Sequence, residues 1–178
     1  MKGASGKVGD MLVFKQWFGK TVIGKTPRKS GSNTTAQHAI RARFQEAVIY
    51  AKGVLANAAT KQSYMKKALP GQTAYNLALA DFFTPPTIGK VDTSAYTGPV
   101  GGIIRIQASD DFLVKSVAVK ITKADGTLIE QGAAVADADG VHWNYTTTVA
   151  NAALSGTKIA VTAMDLPANV TENDTVLP

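Results

Sequence analysis

Cysteine is missing from the 178-residue chain, and histidine occurs only as His38 and His142. The first absence excludes disulfide bonds, thiolate metal sites and cysteine nucleophiles together. No acid stands three or four residues from His38, and His142 falls in a predicted strand beside Trp143. We expect a solvated His38 and a packed or edge His142 rather than a catalytic triad, and neither histidine makes a metal site without further ligands. We therefore expect no enzyme and no cofactor.

Long apolar runs are also missing. No stretch approaches the ~18 apolar residues of a membrane span, and residues 1–10 lack the apolar segment of a secretory leader. The glycines around Lys7 do not have the spacing of a nucleotide-binding phosphate loop. We expect synthesis in the cytoplasm without a signal peptide and without a membrane span.

The charges that are present are divided unequally along the chain. Residues 1–90 contain fourteen lysines and arginines against three acids, a balance of +11, whereas residues 91–178 contain five against ten, a balance of −5. A basic half of this kind binds phosphates or an acidic protein surface. It also suits head-to-tail association, in which the basic half of one copy meets the acidic half of the next.

The basic half begins with a predicted β-hairpin. Residues 11–25 form two β-rich runs around Gly19, and Pro27 ends the second run. An isolated two-stranded hairpin is marginal in water, so this one needs a partner surface. We expect that surface in another molecule; the alternative is the apolar stripe of Ile40, Phe44 and Val48 in the same chain. The expected interface residues are Trp17 and Phe18 as anchors, with Phe14 and Val22.

Three helices are predicted after the hairpin. Candidate N-caps at residues 32–34 precede an amphipathic pattern from Ala36 to about Leu55. Asn57 and Thr73 are candidate caps for two shorter helices, and Pro85 and Pro86 end the last one. The basic residues Lys25, Arg28, Lys29, Arg41 and Arg43 form a candidate phosphate-binding group, with a merely solvated face as the alternative.

After Pro86 the sequence has the period of β-strands. Seven short strands are predicted over residues 87–91, 101–108, 113–122, 127–133, 141–149, 157–163 and 170–177. The dipeptide Asp125-Gly126 predicts a type I′ hairpin turn. Trp143 and Tyr145 alternate with polar neighbours and are expected to point inward, the alternative being an exposed carbohydrate platform. Weak calcium binding at Asp137 and Asp139, with Asp110 and Asp111, is left open.

Residues 116–169 resemble bacterial immunoglobulin-like and fibronectin-type-III-like modules. The resemblance includes an A-x-D-x-x-x-N-x-T pattern at Ala163, Asp165, Asn169 and Thr171. It implies a disulfide-free, antiparallel seven-stranded β-sandwich. Such modules act as spacers, adhesive units or decorations on larger assemblies.

The basic half loosely resembles uncharacterised proteins of bacteria and phages that begin with a Gly-Lys-x-Gly element, a hairpin and an R-x-R-F helix. The corresponding residues are Gly6-Lys7-Val8-Gly9, residues 17–20, and Arg41 to Phe44. This resemblance implies no activity, but it raises the expectation of a phage-like particle component.

Together these patterns predict an α+β chain of three segments. They are a basic arm with a hairpin over residues 1–33, a helical segment over 34–84 and an immunoglobulin-like sandwich over 85–178. The expected function is that of a structural subunit of a multi-copy assembly, such as a phage virion, tail or phage-like particle. The alternatives are a nucleic-acid-associated protein that contacts the phosphate backbone and a glycan-binding adhesion module.

Overall fold

The computed structural model describes residues 4–17, 19–26, 31 and 34–178. It is an α+β structure, with three helices and eleven strands in three antiparallel sheets over this part of the chain. The chain divides into two compact units, Met1–Glu46 with Leu69–Gly71, and Ala47–Ala68 with Gln72–Pro178. We call them the N-terminal unit and the C-terminal unit.

The N-terminal unit contains a three-stranded antiparallel sheet in the order β1-β2-β3. Its strands are β1 (Gly6–Val8), β2 (Leu12–Trp17) and β3 (Lys20–Lys25). The predicted hairpin is confirmed, and β1 adds a strand that the sequence did not predict. Gly19 has a φ of +73°, so it supplies the left-handed conformation between β2 and β3 that other residues adopt only with strain. No strand residue of this sheet is buried.

Helix α1 (Thr35–Ala56) confirms the first predicted helix. It begins with a capping box: the Thr34 hydroxyl accepts a hydrogen bond from the Gln37 amide, and the Gln37 side chain accepts one from the Thr34 amide. All residues from 34 to 46 are exposed, whereas Ala47 and Ala51 are completely buried. Only the second half of the helix packs on a core.

Helices α2 (Ala58–Lys67) and α3 (Ala74–Phe83) begin at the predicted caps. The Asn57 side chain accepts hydrogen bonds from two backbone amides of α2, and the Thr73 hydroxyl accepts one from α3. Their buried residues join the end of α1 in a small core, which also contains Phe112 and Leu166 from strand-connecting loops. The helices therefore pack on one end of the β-structure in the C-terminal unit.

Eight strands form two four-stranded antiparallel sheets in the C-terminal unit. One sheet has the order β4-β5-β9-β8 and the other β11-β10-β6-β7. The strands are β4 (Thr87–Ala95), β5 (Ile103–Ser109), β6 (Val114–Thr122), β7 (Leu128–Ala133), β8 (Val135–Ala136), β9 (His142–Thr146), β10 (Lys158–Asp165) and β11 (Val170–Val176). Each of the seven predicted strands has a counterpart, and the short β8 is additional.

The inner faces of the two sheets share one hydrophobic core. Ile104 and Ile106 from one sheet, and Val119, Ile159 and Val161 from the other, have at most 1% of their surface exposed. They belong to the same cluster of buried side chains, so the sheets pack face to face. All members of this cluster lie within residues 87–178.

The hairpin between β6 and β7 corrects one detail of the sequence analysis. The amide of Gly126 donates to the carbonyl of Lys123, and Gly126 has a φ of +86°. Asp125 is not among the described residues with positive φ, so the turn is not type I′. The Asp125 carboxylate instead accepts a hydrogen bond from the Thr127 amide, which stabilises the turn from its side chain.

Candidate functional site

The exposed sheet β1-β2-β3 carries the predicted interface residues. Trp17 has 66% of its surface exposed and Val22 48%, whereas Phe14 is half-buried. Ile23, on the same edge strand as Val22, is exposed as well. Phe18, the second predicted anchor, lies outside the described residues. Large apolar side chains on an exposed sheet are typical of a surface that binds another protein.

The N-terminal unit also exposes basic side chains. Lys20 and Lys25 stand at the two ends of β3, and both are exposed. Arg41 and Arg43 are exposed on the first half of α1. Arg28 and Lys29 lie outside the described residues, so the structure places only Lys25, Arg41 and Arg43 of the predicted phosphate-binding group.

The C-terminal unit presents an acidic strand at a sheet edge. Strand β11 is the terminal strand of its sheet, and its exposed residues are Val170, Glu172, Asp174 and Val176. Asp174 forms an ion pair of 2.7 Å with Lys158 on the neighbouring strand β10. Edge strands expose unpaired backbone donors and acceptors, and charges on them oppose unwanted pairing.

A buried polar cluster joins α1, α2 and α3. The Tyr64 hydroxyl donates to Oδ2 of Asp81 at 2.6 Å, and the Tyr50 hydroxyl donates to the same oxygen at 3.3 Å. The two hydroxyl oxygens are 3.1 Å apart. Asp81 is 2% exposed, and its Oδ1 has no partner among the described residues. The Tyr64 ring also stacks on Phe112, with ring centroids 3.6 Å apart.

Burial governs the acid–base properties of this cluster. It raises the pKa of Asp81 to about 6, against the Tyr64 hydrogen bond, which lowers it, and the nearby charge of Asp110 raises it further. Burial also raises the pKa of Tyr50 to about 12. The pKa of Tyr64 is raised by burial and by its bond to Asp81. The tyrosines therefore stay neutral donors at all physiological pH values.

The residues of the A-x-D-x-x-x-N-x-T pattern form a hydrogen-bond network next to this cluster, which we call the lock. The side chain of Asp165 accepts from the backbone amide of Asn169 at 2.6 Å and from its side-chain amide at 2.7 Å. Asn169 also donates to the backbone carbonyls of Asp81 and Phe82. The Thr171 hydroxyl donates to the carbonyl of Pro86 at 2.5 Å. These contacts tie the end of α3 to the β10–β11 hairpin.

Sequence reasoning missed the polar cluster. The available signal was Asp81 itself, the single acid in the apolar helix AYNLALADFF. A lone carboxyl on an apolar helix has to find hydrogen-bond donors when the helix is buried. Its partners, Tyr50 and Tyr64, are far away in the sequence, so only the fold identifies them.

A cavity of about 640 Å³ lies between α2 and the loops at the same end of the sandwich. Its walls combine apolar side chains with the polar residues Thr60, Ser63, Lys67, Asp110 and Asp139. The amine of Lys67 donates to the carbonyl of Phe112, and one Asp110 oxygen caps the amides of Phe112 and Leu113. The other Asp110 oxygen is buried without a hydrogen-bond partner among the described residues. Together these groups do not define a ligand.

The candidate calcium residues Asp137 and Asp139 form hydrogen bonds in and beside their own loop. Asp137 contacts Arg105 at 3.3 Å and Asn144 at 2.9 Å. Asp139 accepts from the amides of Val141 and His142, and these bonds hold its pKa well below the usual range. Over the described ranges no group of three or more potential metal-ligating residues occurs.

Trp143 and Tyr145 point into the core, as predicted. They are 8% and 5% exposed, so they do not form the carbohydrate platform that the sequence left open. His142, on the same strand, forms a 2.6 Å contact with Asp139 through Nδ1. None of the helices in the described part of the chain has the length and apolarity of a membrane span.

Comparisons with known proteins identify no family. Neither a protein-family profile nor a curated protein sequence matches the chain. One solved structure that matches is CopC from Methylosinus trichosporium OB3b, at 13% identity over 50% of this chain and 87% of that chain, with a TM-score of 0.39. A likeness at this level carries no argument about fold or function.

Proposed function

We propose that this protein is a non-catalytic structural subunit of a multi-copy assembly, such as a phage virion, a tail or a phage-like particle. In this proposal the N-terminal unit docks and the C-terminal unit projects. The observation that carries it is the sheet β1-β2-β3, which has no buried strand residue and exposes Trp17, Val22 and Ile23. A sheet without a second layer gains its stability from a partner.

The projecting unit is proposed to be an immunoglobulin-like sandwich. Its strand order supports this, because immunoglobulin folds pair the first, second, fifth and fourth strands in one sheet and the third, sixth and seventh in the other. In this chain the corresponding sheets are β4-β5-β9-β8 and β11-β10-β6-β7. Strand β7 is then the extra strand next to the third one, as in variable-type domains.

The docking surface can be tested with Trp17→Ala. Removing an exposed anchor should leave the melting temperature within a few degrees of the wild-type value, since exposed residues contribute little to stability. It should raise the concentration needed for assembly by about tenfold or more, because aromatic anchors dominate interface energetics. Light scattering and negative-stain electron microscopy of the purified protein measure the assembly.

A matched control is Val135→Ala, which removes an exposed apolar side chain from a different strand. This variant should assemble like the wild type. A wild-type protein that stays a monodisperse monomer at all concentrations and salt conditions contradicts the proposal. A Trp17→Ala variant with a much lower melting temperature and unchanged assembly also contradicts the proposal, since Trp17 would then be part of a core.

A second candidate function is binding to the phosphate backbone of nucleic acids. The observation that favours it is the exposure of Lys25, Arg41 and Arg43. Cations that contact phosphates release counterions, so the affinity should fall steeply with salt. Titration with duplex and single-stranded DNA at two salt concentrations measures this, and the absence of binding at low salt eliminates the candidate.

A further inference from the structure

Two edge strands of this chain have complementary features. Strand β3 is the terminal strand of the N-terminal sheet, and every residue from Lys20 to Lys25 is exposed. Strand β11 is the terminal strand of a C-terminal sheet, and its side chains alternate between exposed and half-buried. The outer edge of each strand pairs with no further strand in the described structure, so another strand can be added there. On β11 the edge is free beyond Thr171, whose hydroxyl donates to the carbonyl of Pro86.

The charges of each strand oppose pairing with an identical strand. Strand β3 contains two lysines and no acid, whereas β11 contains two acids and no base. Like charges placed opposite each other across two strands are destabilising, and opposite charges are stabilising. Of the pairings between these two edges, only the mixed one brings a cation to an anion. Glu172 is the acid that this pairing uses, since Asp174 already forms an ion pair with Lys158.

The positions of the apolar residues on the two strands also suit a mixed pairing. On β3, Lys20 and Val22 share one face, and Ile23 and Lys25 share the other, because alternate residues of a strand point to the same side. The exposed row of β11 places Val170 beside Glu172, and Val176 beside Asp174. When Lys20 lies opposite Glu172 in an antiparallel pairing, Val22 lies opposite Val170. Lys25 points to the other side of β3 and does not meet the acidic row in this pairing.

We propose that strand β3 of one molecule adds to the edge of strand β11 in a second copy of this chain. The partner is thus identical in sequence, and the contact joins two different surfaces. Such a head-to-tail contact forms an open chain or a closed ring of subunits. This inference rests on the proposed function and specifies which surfaces meet in the assembly.

Charge reversal tests the contact. The variant Lys20→Glu/Lys25→Glu and the variant Glu172→Lys/Asp174→Lys should each need at least about a tenfold higher concentration to assemble, because like charges then face each other. A mixture of the two variants should assemble near the wild-type concentration. Light scattering gives the concentration dependence, and circular dichroism melting verifies that each variant is folded.

The matched control is Lys115→Glu/Lys120→Glu, which reverses two exposed lysines on β6, an inner strand of the same sheet as β11. It changes the net charge as much as the β3 variant, so it separates a local pairing effect from general repulsion. Assembly of this control at the wild-type concentration supports the proposal. A loss equal to that of the β3 variant overturns it.

Cysteine cross-linking tests the same contact independently of charge. The chain has no cysteine of its own, so a mixture of Val22→Cys and Val170→Cys proteins can form only disulfides between introduced residues. Oxidation should yield mixed dimers in preference to the two homodimers. A mixture of Val22→Cys with Val135→Cys, on the edge strand β8, should not yield them.

The outcomes distinguish the two proposals. If the wild type assembles but the charge reversals and cross-links have no specific effect, the β3–β11 contact is wrong while the structural-subunit proposal stands. A strictly monomeric wild type removes both. Loss of assembly in both charge variants without recovery in the mixture also overturns the contact, since it indicates that each strand meets some other surface.

Discussion

The two units of this protein differ in how far their β-sheets are buried. Both units contain antiparallel sheets, but only the two C-terminal sheets cover each other's inner faces. There Ile104, Val117 and Ile159 have no exposed surface, whereas the strands of the N-terminal sheet have no buried residue. Strand pairing alone does not make a core, because a sheet excludes water only when a second layer covers one face.

This comparison places the stabilising apolar burial in the C-terminal unit. Each fully buried aliphatic side chain contributes roughly 1.5–3 kcal/mol through loss of contact with water. The exposed apolar residues of the N-terminal sheet contribute little of this energy in a single molecule. Under the proposed function, their burial would contribute when the sheet contacts another molecule.

The largest expected effect tests this difference directly. Ile159→Ala removes a completely buried side chain from the sandwich core and should cost about 2–5 kcal/mol of unfolding free energy. Ile23→Ala truncates the same residue type on exposed β3 and should change that free energy by less than about 0.5 kcal/mol. Urea denaturation followed by circular dichroism measures both. Equal costs at the two positions indicate that β3 is part of a core.

An intermediate effect is expected for the pH dependence of stability. Burial raises the pKa of Asp81 from 3.8 to about 6 in the folded state. At pH values between these two pKa values, unfolding therefore releases a proton from Asp81. The wild type should therefore lose stability as the pH rises from about 4 to 6.5, by up to roughly 3 kcal/mol from this residue. Asp81→Asn should flatten the profile in this range.

Asp111→Asn is the control for this experiment, since it neutralises an exposed carboxyl near the same end of the sandwich. Its pH profile should follow that of the wild type. Melting temperatures measured at intervals of half a pH unit give the comparison. If Asp81→Asn keeps the wild-type slope, the buried carboxyl is not the group that titrates.

The smallest expected effect distinguishes two buried tyrosines. Tyr64→Phe keeps the ring that stacks on Phe112 but removes the donor to Asp81, which should cost about 1–2 kcal/mol. Tyr96→Phe removes a buried hydroxyl that has no partner in the described structure, and it should change stability by less than about 0.5 kcal/mol. Chemical denaturation at pH 7 measures both. Equal losses indicate that the cluster around Asp81 adds no stability.

Local signals predicted most of the secondary structure. Asn57 and Thr73 cap the helices that the sequence assigned to them, because capping depends on a side chain and amides two or three residues away. The strand period located seven of the eight C-terminal strands. Strand β8 has two residues, which is too short to show any period.

Contacts between distant residues were the part that could not be predicted. The partners of Asp81 lie 17 and 31 residues away in the sequence. Similarly, the sequence shows the pattern at Asp165, Asn169 and Thr171 only as part of a resemblance to immunoglobulin-like modules. Only the folded chain shows that the Asn169 amide donates to the carbonyls of residues 81 and 82, and that the Thr171 hydroxyl donates to the carbonyl of residue 86.

The lock at Asn169 and Thr171 has a mechanical consequence. Tension that reaches the sandwich from α3 enters through residues 84–86, directly before β4, which is an edge strand of its sheet. An edge strand that is pulled away perpendicular to its own axis loses its ladder hydrogen bonds one after another. Since Asn169 and Thr171 tie this connection to the β10–β11 hairpin, the load is shared with the opposite sheet. A force on this connection therefore acts on strands of both sheets.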